Sequence, residues 1–258
     1  ANLWTLFRSR SVQRAKRMRP NHRMSGLPED LGRRWHEHPG LVTERPETLN
    51  VLNAAVDFEH ALPWELNERI AIQHDLFIRF DALAQRRGLE RVRLSGGEFV
   101  AIGGAARIGT GSADDLAELA LTMLHVAEEA ALPEGITLSL RIGINQGSAA
   151  RAALGKMMPV FDVIGPAVDG AAGLRDAAPA GCILVSERFQ HVVGDRFETQ
   201  QCGTVPGGAD PAFLLWGAKA RRERGALHVL RSVSRIAFLP ALAAMALPSS
   251  AQWERSAA

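Results

Sequence analysis

The sequence predicts an α+β fold built on a β-α-β-β-α-β core. Three observations predict it: apolar runs of strand length alternate with helical stripes, a Gly-Gly pair separates two short β runs, and a further helix with more strands follows. The chain has 258 residues, of which 47% are hydrophobic and 22% charged. This length suits one domain of about 150–200 residues with extensions, and the composition is sufficient for a proper core.

The first half of the core reads as a strand, a helix and a hairpin. The domain opens near Leu49 with the run LNVLNAAVDF, which is typical of a strand. Pro63 and Trp64 lead into a helix that Gly88 ends. The predicted apolar stripe of this helix comprises Leu66, Ile70, Phe77, Phe80, Leu83 and Ala84. The stretch ERVRLSGGEFVAIGG then predicts two short strands around its Gly-Gly turn.

The second half begins with a capping box, in which Ser112 and Asp115 start the next helix. The apolar positions of this helix recur at helical spacing: Leu116, Leu119, Ala120, Met123 and Ala127. Pro133 and Gly135 end it, and ITLSLRIGI returns as a strand. Further on, CILVS predicts a strand, ERFQHVV a short helix, and FETQQ with AFLLW a β pair. The order is that of a ferredoxin-like βαββαβ core with an αβ(ββ) appendix.

Composition divides the chain into three regions. Residues 1–47 are predicted to be an extension, basic at first and then rich in Pro and Gly, residues 48–217 the domain, and residues 218–258 a basic and apolar tail. The segment Arg8–Arg23 contains seven basic residues and no acidic one. Such an arm suits an anionic lipid, a nucleic acid or an acidic partner, although a solvated, disordered arm is the plainer alternative.

The tail contains the uninterrupted apolar run IAFLPALAAMAL, Ile236–Leu247. This run is too short to span a bilayer alone, which takes about 20 residues. Two interpretations remain open: a helix packed on the domain or on a partner, and a segment inserted into a membrane surface.

The two cysteines, Cys182 and Cys202, form no C-x-x-C pair and have no histidine at metal spacing. Buried free thiols in a reducing cytoplasm are expected, and the sequence shows no N-terminal secretory segment. Beyond the basic arm there is no nucleic-acid motif, so no specific nucleic acid is expected. These observations predict a cytoplasmic protein and leave open a peripheral position on the inner face of a membrane.

Two motifs in the middle of the chain carry a family resemblance. RIGINQG, residues 141–147, and FDVIGPAVDGAAGL, residues 161–174, resemble the core of class III nucleotidyl cyclases, the adenylate and guanylate cyclases. The matching positions are Gly143, Ile144, Asn145, Gly147, Gly155, Phe161, Asp162 and Gly165. Residues 76–104 are similar to the first helix and hairpin of the family, and the resemblance extends over roughly residues 48–217.

The resemblance implies the fold given above and a dimer with sites at its interface. In the family, the ribose 3′-oxygen attacks the α-phosphorus and pyrophosphate leaves, with two metal ions held by two aspartates. The hairpin aspartate is replaced by Gly97, and we expect alternation along the strand to turn the neighbouring Glu98 to the other face. The first-strand position falls on Asn53 by the commonest spacing and on Ala55 by the apolar pattern, while only a four-residue deletion would bring Asp57 there.

The family's helix carries an asparagine and, four residues later, an arginine. Here Asp169 and Gly173 occupy those positions, and Arg175, about 200° further around a helix, is expected to face elsewhere. The late lysine of the family is replaced within VPGGAD, residues 205–210.

The base-reading positions of the family hold Arg93 and Asp162, a combination associated with adenine. A plainer alternative remains open at both positions. In it, Asp162 only caps the helix that Pro166 opens, and Arg93 is solvated.

The resemblance therefore predicts a cyclase-homology protein without catalytic residues, metal or cofactor. It would act as an interaction, regulatory or auxiliary subunit through a cyclase-type dimer face, with residual adenine-nucleotide binding at Arg93, Asp162 and Asp169. One alternative is an active adenylate cyclase with Mg²⁺ or Mn²⁺ on rearranged ligands, Asp57 among them. Another is a peripheral subunit of a membrane complex, anchored by Arg8–Arg23 and Ile236–Leu247.

Overall fold

The computed structural model describes residues 27–38, 40–60, 65–104, 111–155, 159–204 and 210–219. Its helices are α1 (Glu29–Glu37), α2 (Leu66–Arg86), α3 (Ala113–Glu128), α4 (Pro166–Ala177) and α5 (Glu187–Val193). Its strands are β1 (Val42–Thr43), β2 (Glu47–His60), β3 (Glu90–Ser95), β4 (Glu98–Gly103), β5 (Ile136–Leu154), β6 (Val160–Ile164), β7 (Cys182–Ser186), β8 (Phe197–Thr204) and β9 (Pro211–Ala218).

Some predictions fall outside these ranges. The basic arm Arg8–Arg23, the apolar run Ile236–Leu247, the Pro63-Trp64 pair and most of VPGGAD all lie outside the described residues. Within the described part of the chain, no helix is both long and apolar enough to cross a membrane.

The chain forms two compact units. Of the described residues, the smaller unit comprises those from Leu27 to Pro46 and from Ala150 to Ile164, and the larger unit those from Glu47 to Ala149 and from Gly165 to Lys219. Strand β5 contributes residues to both units.

The larger unit is built on a sheet with the strand order β3-β4-β2-β5-β7-β9-β8. Strands β5 and β7 are parallel, and the other neighbours on this path are antiparallel. The elements β2, α2, β3, β4, α3 and β5 follow one another along the chain and give the ferredoxin-like core. The elements from α4 to β9 give the appendix. The predicted fold class is confirmed.

One face of this sheet forms the main hydrophobic core against α2 and α3. Alternate residues of β2 and β5 point into it: Leu52, Ala54, Val56, Leu140, Ile142 and Ile144. The rings of Phe77, Phe80 and Phe99 lie next to one another there, with centroids 5.8–6.4 Å apart. Such tilted and edge-on pairs stabilise beyond the burial of their area.

The predicted stripe of α2 is wrong in its first two turns. Leu66 and Ile70 are 67% and 54% exposed, whereas the buried residues of the helix begin at Leu76. The helix has 21 residues, about 32 Å at 1.5 Å per residue, and the core covers only its second half. The helix ends at Arg86, two residues before Gly88, as predicted.

The capping box of α3 is confirmed. The Ser112 hydroxyl accepts from the Asp115 N–H at 3.3 Å, and the Asp115 carboxylate accepts from the Ser112 N–H at 2.7 Å. All five predicted apolar positions of this helix are buried. The helix ends at Glu128, several residues before Pro133.

Helix α4 lies directly on β5 at the motif Gly-Ile-Asn. A Cβ atom built on Gly143 would come well inside 3.0 Å of the Ala171 carbonyl oxygen and of the Arg175 backbone nitrogen. The Asn145 side chain amide donates to the carbonyl oxygens of Pro166 and Ala167 at 3.4 and 3.3 Å. Gly143 and Asn145 thus determine the distance between α4 and β5 and the position of the first turn of α4.

The smaller unit consists of α1, β1, the end of β5 and β6. Strands β1 and β6 pair with β5 from Val42↔Ala153 and Ala150↔Ile164, respectively. Arg151, which is 1% exposed, donates to Glu44 at 2.8 Å and to Asp30 at 3.0 Å. Burial alone would raise the pKa of Asp30, but the charge of Arg151, together with hydrogen bonding that involves Leu31, Arg151 and Glu44, holds that pKa below its ordinary value.

Both cysteines are free thiols. Cys182 is buried, as expected, whereas Cys202 is only half-buried and donates to the Ala212 carbonyl oxygen at 3.5 Å. Burial raises the pKa of each thiol, which keeps them protonated at neutral pH.

We expect Gly143→Ala to destabilise the domain strongly. The new methyl group would meet backbone atoms of α4, which cannot turn aside as a side chain can. Overpacking of this kind costs about 1–3 kcal/mol, occasionally more. The free energy of unfolding in urea measures the effect.

Gly173→Ala on the same helix is the matched control. A Cβ atom at Gly173 meets nothing within 4 Å, so its stability should be unchanged or raised by up to about 1 kcal/mol, since alanine favours helices over glycine. Equal stability of Gly143→Ala and the wild type would refute the close packing of α4 on β5.

Candidate functional site

The resemblance implies metal-binding aspartates at two positions, one on the first strand and one in the hairpin turn. These two positions lie at one end of the β2–β4 ladder. Ala55 pairs with Glu98 and Asn53 with Val100, and the Val56 N–H donates to the Gly97 carbonyl oxygen at 2.9 Å. Because side chains alternate along a strand, Asn53, Ala55 and Asp57 share one face of β2. Ala55, which pairs with Glu98 directly after the hairpin turn, has no metal-ligating group.

The expectation that Glu98 faces away is wrong. Its carboxylate accepts from Nη1 of Arg175 at 2.5 Å, and the same Nη1 donates to Oδ1 of Asn53 at 3.0 Å. Residues directly opposite each other in an antiparallel ladder point to the same face, so Glu98 shares the face of its partner Ala55. Alternation counted from Gly97 fails because Gly97 lies in the turn with a φ of +87°.

Arg175 points towards the sheet, while Gly173 does not. The side chain of Arg175 is almost fully buried and also donates to Oδ1 of Asp176, from Nε at 3.0 Å and from Nη2 at 2.7 Å. Burial by itself would lower the pKa of Arg175, but its hydrogen bonds to Asp176 and Glu98 raise it above the ordinary value. Arg175 therefore carries a permanent positive charge next to Asn53 and Glu98.

A signal for this orientation was present in the sequence. Ala167 and Ala171 are buried against the sheet, and Arg175 follows them at the same four-residue spacing. The angle between Gly173 and Arg175 around the helix showed that the two residues face different sides. It did not show which of these sides faces the sheet.

Asp57 is engaged by a second arginine. Its two carboxylate oxygens accept from Nε and Nη2 of Arg141 at 2.7 and 3.3 Å, a bidentate arrangement that is among the stronger hydrogen-bonded pairs. The hydrogen bond to Asp57 raises the pKa of Arg141. Arg141 also approaches the carbonyl oxygen of Asp176 at 3.5 Å.

These six residues are referred to below as the α4-facing cluster: Asn53, Asp57, Glu98, Arg141, Arg175 and Asp176. Within the described ranges, no three His, Cys, Asp or Glu residues are grouped so that they could hold a metal ion. The cluster carries carboxylates, but each of them is hydrogen-bonded to a guanidinium group. The residues present do not fit the two-metal site that the resemblance implies.

Asp169 and Gly173, which replace the asparagine and the arginine of the family's helix, lie on the side of α4 that faces away from the sheet. Asp169 is exposed, and the space around Gly173 is open. Since residues four apart share a helix face, a nucleotide on that side would meet a carboxylate and no cation from α4 at these two positions.

The candidate base-reading residues belong to different compact units. Arg93 is half-buried on β3 of the larger unit, beside a bulge. Asp162 is half-buried on β6 of the smaller unit, and its carboxylate accepts from the Val163 N–H at 2.9 Å. Helix α4 begins at Pro166, and its N-cap residue is Gly165.

Comparison with known proteins agrees with the fold and the motifs. A model of the adenylate and guanylate cyclase catalytic domain matches residues 58–210, more than half of the chain. This chain belongs to that family. Within it, an adenylate cyclase of Mycobacterium tuberculosis is 27% identical over 205 residues, which are 77% of this chain and 46% of that protein. A receptor-type guanylate cyclase of Caenorhabditis elegans is 28% identical over 169 residues, 62% of this chain and 15% of that protein.

The cyclase homologue described here thus spans about half the length, or less, of the curated relatives it matches. Among solved structures, the guanylyl cyclase domain of the RhoGC fusion protein from Blastocladiella emersonii has a TM-score of 0.61 at 21% identity, covering 68% of this chain and 100% of that chain. The adenylyl cyclase CyaB from P. aeruginosa has a TM-score of 0.57 at 19% identity, covering 71% and 100%. At these identities the likeness confirms the class III cyclase fold.

Proposed function

We propose that this chain is a non-catalytic cyclase-homology protein that acts as an interaction, regulatory or auxiliary subunit. One observation carries the proposal: the carboxylate of Glu98, which lies beside the hairpin position of the family's metal-binding aspartate, is paired with the buried guanidinium of Arg175. Nucleotide cyclisation requires carboxylates that are free to hold metal ions.

The remaining substitutions support the same proposal. Gly97 offers no ligand, Asp57 is held by Arg141, and Gly173 offers no cation to the charge that develops on phosphorus. The loss of one donor of that kind typically lowers the rate by about 10²–10³, and the loss of the metal ligands should lower it further.

For the partner, we propose a second protein of cyclase fold, identical or different, bound through the cyclase-type dimer face. The RhoGC guanylyl cyclase domain, whose fold this chain shares, is described as dimeric in one crystal structure and as monomeric in another. We also propose a cytoplasmic location, which the two free thiols support, and contact with a membrane surface through Arg8–Arg23 and Ile236–Leu247.

Residual adenine-nucleotide binding at Arg93, Asp162 and Asp169 is part of the proposal. Asp162 can accept from the adenine amino group, and Arg93 keeps the positive charge of the family's lysine, although not its compact shape. Asp169 adds negative charge where the ribose and triphosphate would lie, so binding should be weak and nearly independent of divalent metal.

The first prediction concerns activity. Purified protein supplied with ATP or GTP and with Mg²⁺ or Mn²⁺ should form no cyclic nucleotide above a heat-denatured control. The reason is that the family's metal ligands are missing and that Gly173 replaces the family's arginine. Product formation is measured by chromatography. Turnover that disappears in Asp57→Ala would overturn the proposal and support the active cyclase with rearranged metal ligands.

The second prediction concerns the base pocket. Titration calorimetry with an adenine nucleotide should give weak binding to the wild type and a clear loss in Asp162→Ala, because the acceptor for the amino group is removed. Asp195→Ala, at an exposed turn of the larger unit, is the matched control and should bind like the wild type. Equal heats for the wild type and Asp162→Ala would exclude Asp162 from nucleotide binding.

The third prediction concerns the tail. Removal of residues 228–258 should leave a folded and more soluble domain that no longer sediments with membranes or with its complex, because a contiguous apolar run needs a cover. High salt should weaken attachment through the basic arm but not through the apolar run. Unfolding of the truncated protein would mean that the tail belongs to the core and would end the anchoring idea.

A further inference from the structure

We infer that Arg175 is a built-in cation that excludes divalent metal from the α4-facing cluster, and that removing its charge opens a metal site there. The inference rests on the proposed function. It explains how the α4-facing cluster of a non-catalytic cyclase homologue is stabilised without a metal ion. It concerns Asn53, Glu98, Arg175 and Asp176, whose contacts all lie within the larger unit.

Three oxygen groups from three different elements converge on the guanidinium of Arg175. They are Oδ1 of Asn53 on β2 at 3.0 Å, Oε1 of Glu98 on β4 at 2.5 Å, and Oδ1 of Asp176 on α4 at 2.7 Å. Carboxylate and amide oxygens are the ligands that hard divalent cations prefer. The guanidinium of Arg175 therefore occupies the place among these oxygen atoms that a metal cation could take.

Burial keeps this centre in place. Asn53 is 2% exposed and the Arg175 side chain 10% exposed, so departure of the guanidinium would leave a buried amide oxygen and a carboxylate without a partner. Removing one member of a buried ion pair is strongly destabilising, and here the cost is reduced because the Glu98 side chain is 33% exposed. A metal ion could enter only by displacing Arg175, whose backbone is fixed by the contact of α4 with Gly143.

The charge balance favours a divalent ion only when Arg175 is absent. The cluster holds two guanidinium groups, Arg141 and Arg175, and three carboxylates, Asp57, Glu98 and Asp176, which gives a formal charge of 2 − 3 = −1. Without Arg175 the formal charge becomes 1 − 3 = −2. A divalent cation then neutralises the cluster and meets the oxygens of Asn53 and Glu98, which both accept from Nη1 of Arg175, with Asp176 on the other side of the guanidinium.

The experiment uses the full chain with Arg175→Met, which keeps an unbranched apolar side chain and removes the charge. Mn²⁺ alone is the probe, without nucleotide, and binding is followed by electron paramagnetic resonance of the free ion. We expect Arg175→Met to bind Mn²⁺ at least tenfold more tightly than the wild type. Its melting temperature should fall below that of the wild type and recover when Mn²⁺ is added.

Two further variants separate charge from packing. In the double variant Arg175→Met with Glu98→Gln, Mn²⁺ binding should be lost and the metal-free melting temperature should rise above that of Arg175→Met, because no carboxylate is left unpaired on β4. Arg91→Met is the matched control, since it breaks a surface pair with Asp81 at 2.9 Å, and it should gain no Mn²⁺ binding.

The inference is overturned if folded Arg175→Met binds Mn²⁺ no better than the wild type. If Arg175→Met does not fold, folding of the double variant supports compensation of the Glu98 charge. Failure of both to fold means that Arg175 acts through packing, which also overturns the inference. None of these outcomes involves cyclic nucleotide, so failure here is distinct from failure of the proposed function, which only product formation by the wild type would cause.

Discussion

The close approach of α4 to β5 at Gly143 is the constraint on which the rest of this face depends. With no side chain at that position, the helix backbone rests directly on the strand, and Asn145 holds its first turn by two hydrogen bonds. This height and direction bring Arg175 over β2 and β4, where it reaches Asn53 and Glu98. The motif Gly-Ile-Asn thus has a packing function that does not require catalysis, and its presence alone indicates the fold.

Among the described residues, each compact unit contains a deeply buried arginine that is paired with acidic groups. Arg151 binds Glu44 and Asp30 in the smaller unit, and Arg175 binds Glu98 and Asp176 in the larger one. Such networks add little net stability compared with an apolar core, yet losing one partner is costly.

Much of the fold could be predicted from the sequence, because local patterns determine it. The capping box, the Gly-Gly hairpin and the periodic burial of α3 are set by residues close together in the chain. The predictions that failed depended on distant partners. The stripe of α2 starts outside the core, because the elements packed on this helix bury it only from Leu76 onward. Glu98 was assigned to the wrong face because strand alternation does not extend through the turn.

The candidate site was less predictable for a related physical reason. The substitutions at Gly97, Asp169 and Gly173 can be read from the motif alone, but the partners of the remaining charges cannot. Arg175 meets Glu98 across 77 residues of sequence, and Arg141 meets Asp57 across 84. Only the sheet register and the docking of α4 bring these groups together.

The two glycines that replace family side chains differ in how readily their loss could be reversed. At Gly173 an added side chain would enter open space from an ordinary helical backbone. At Gly97 the backbone has a φ of +87°, a conformation that side chains rarely adopt, so even an aspartate, which tolerates it better than most residues, would be strained there. A single Gly173→Arg substitution would thus restore a cation to the outer side of the helix, while the sheet would still have its carboxylates tied to arginines. A chain altered in this way would carry one of the two family side chains of this helix, with Asp169 still in place of the other.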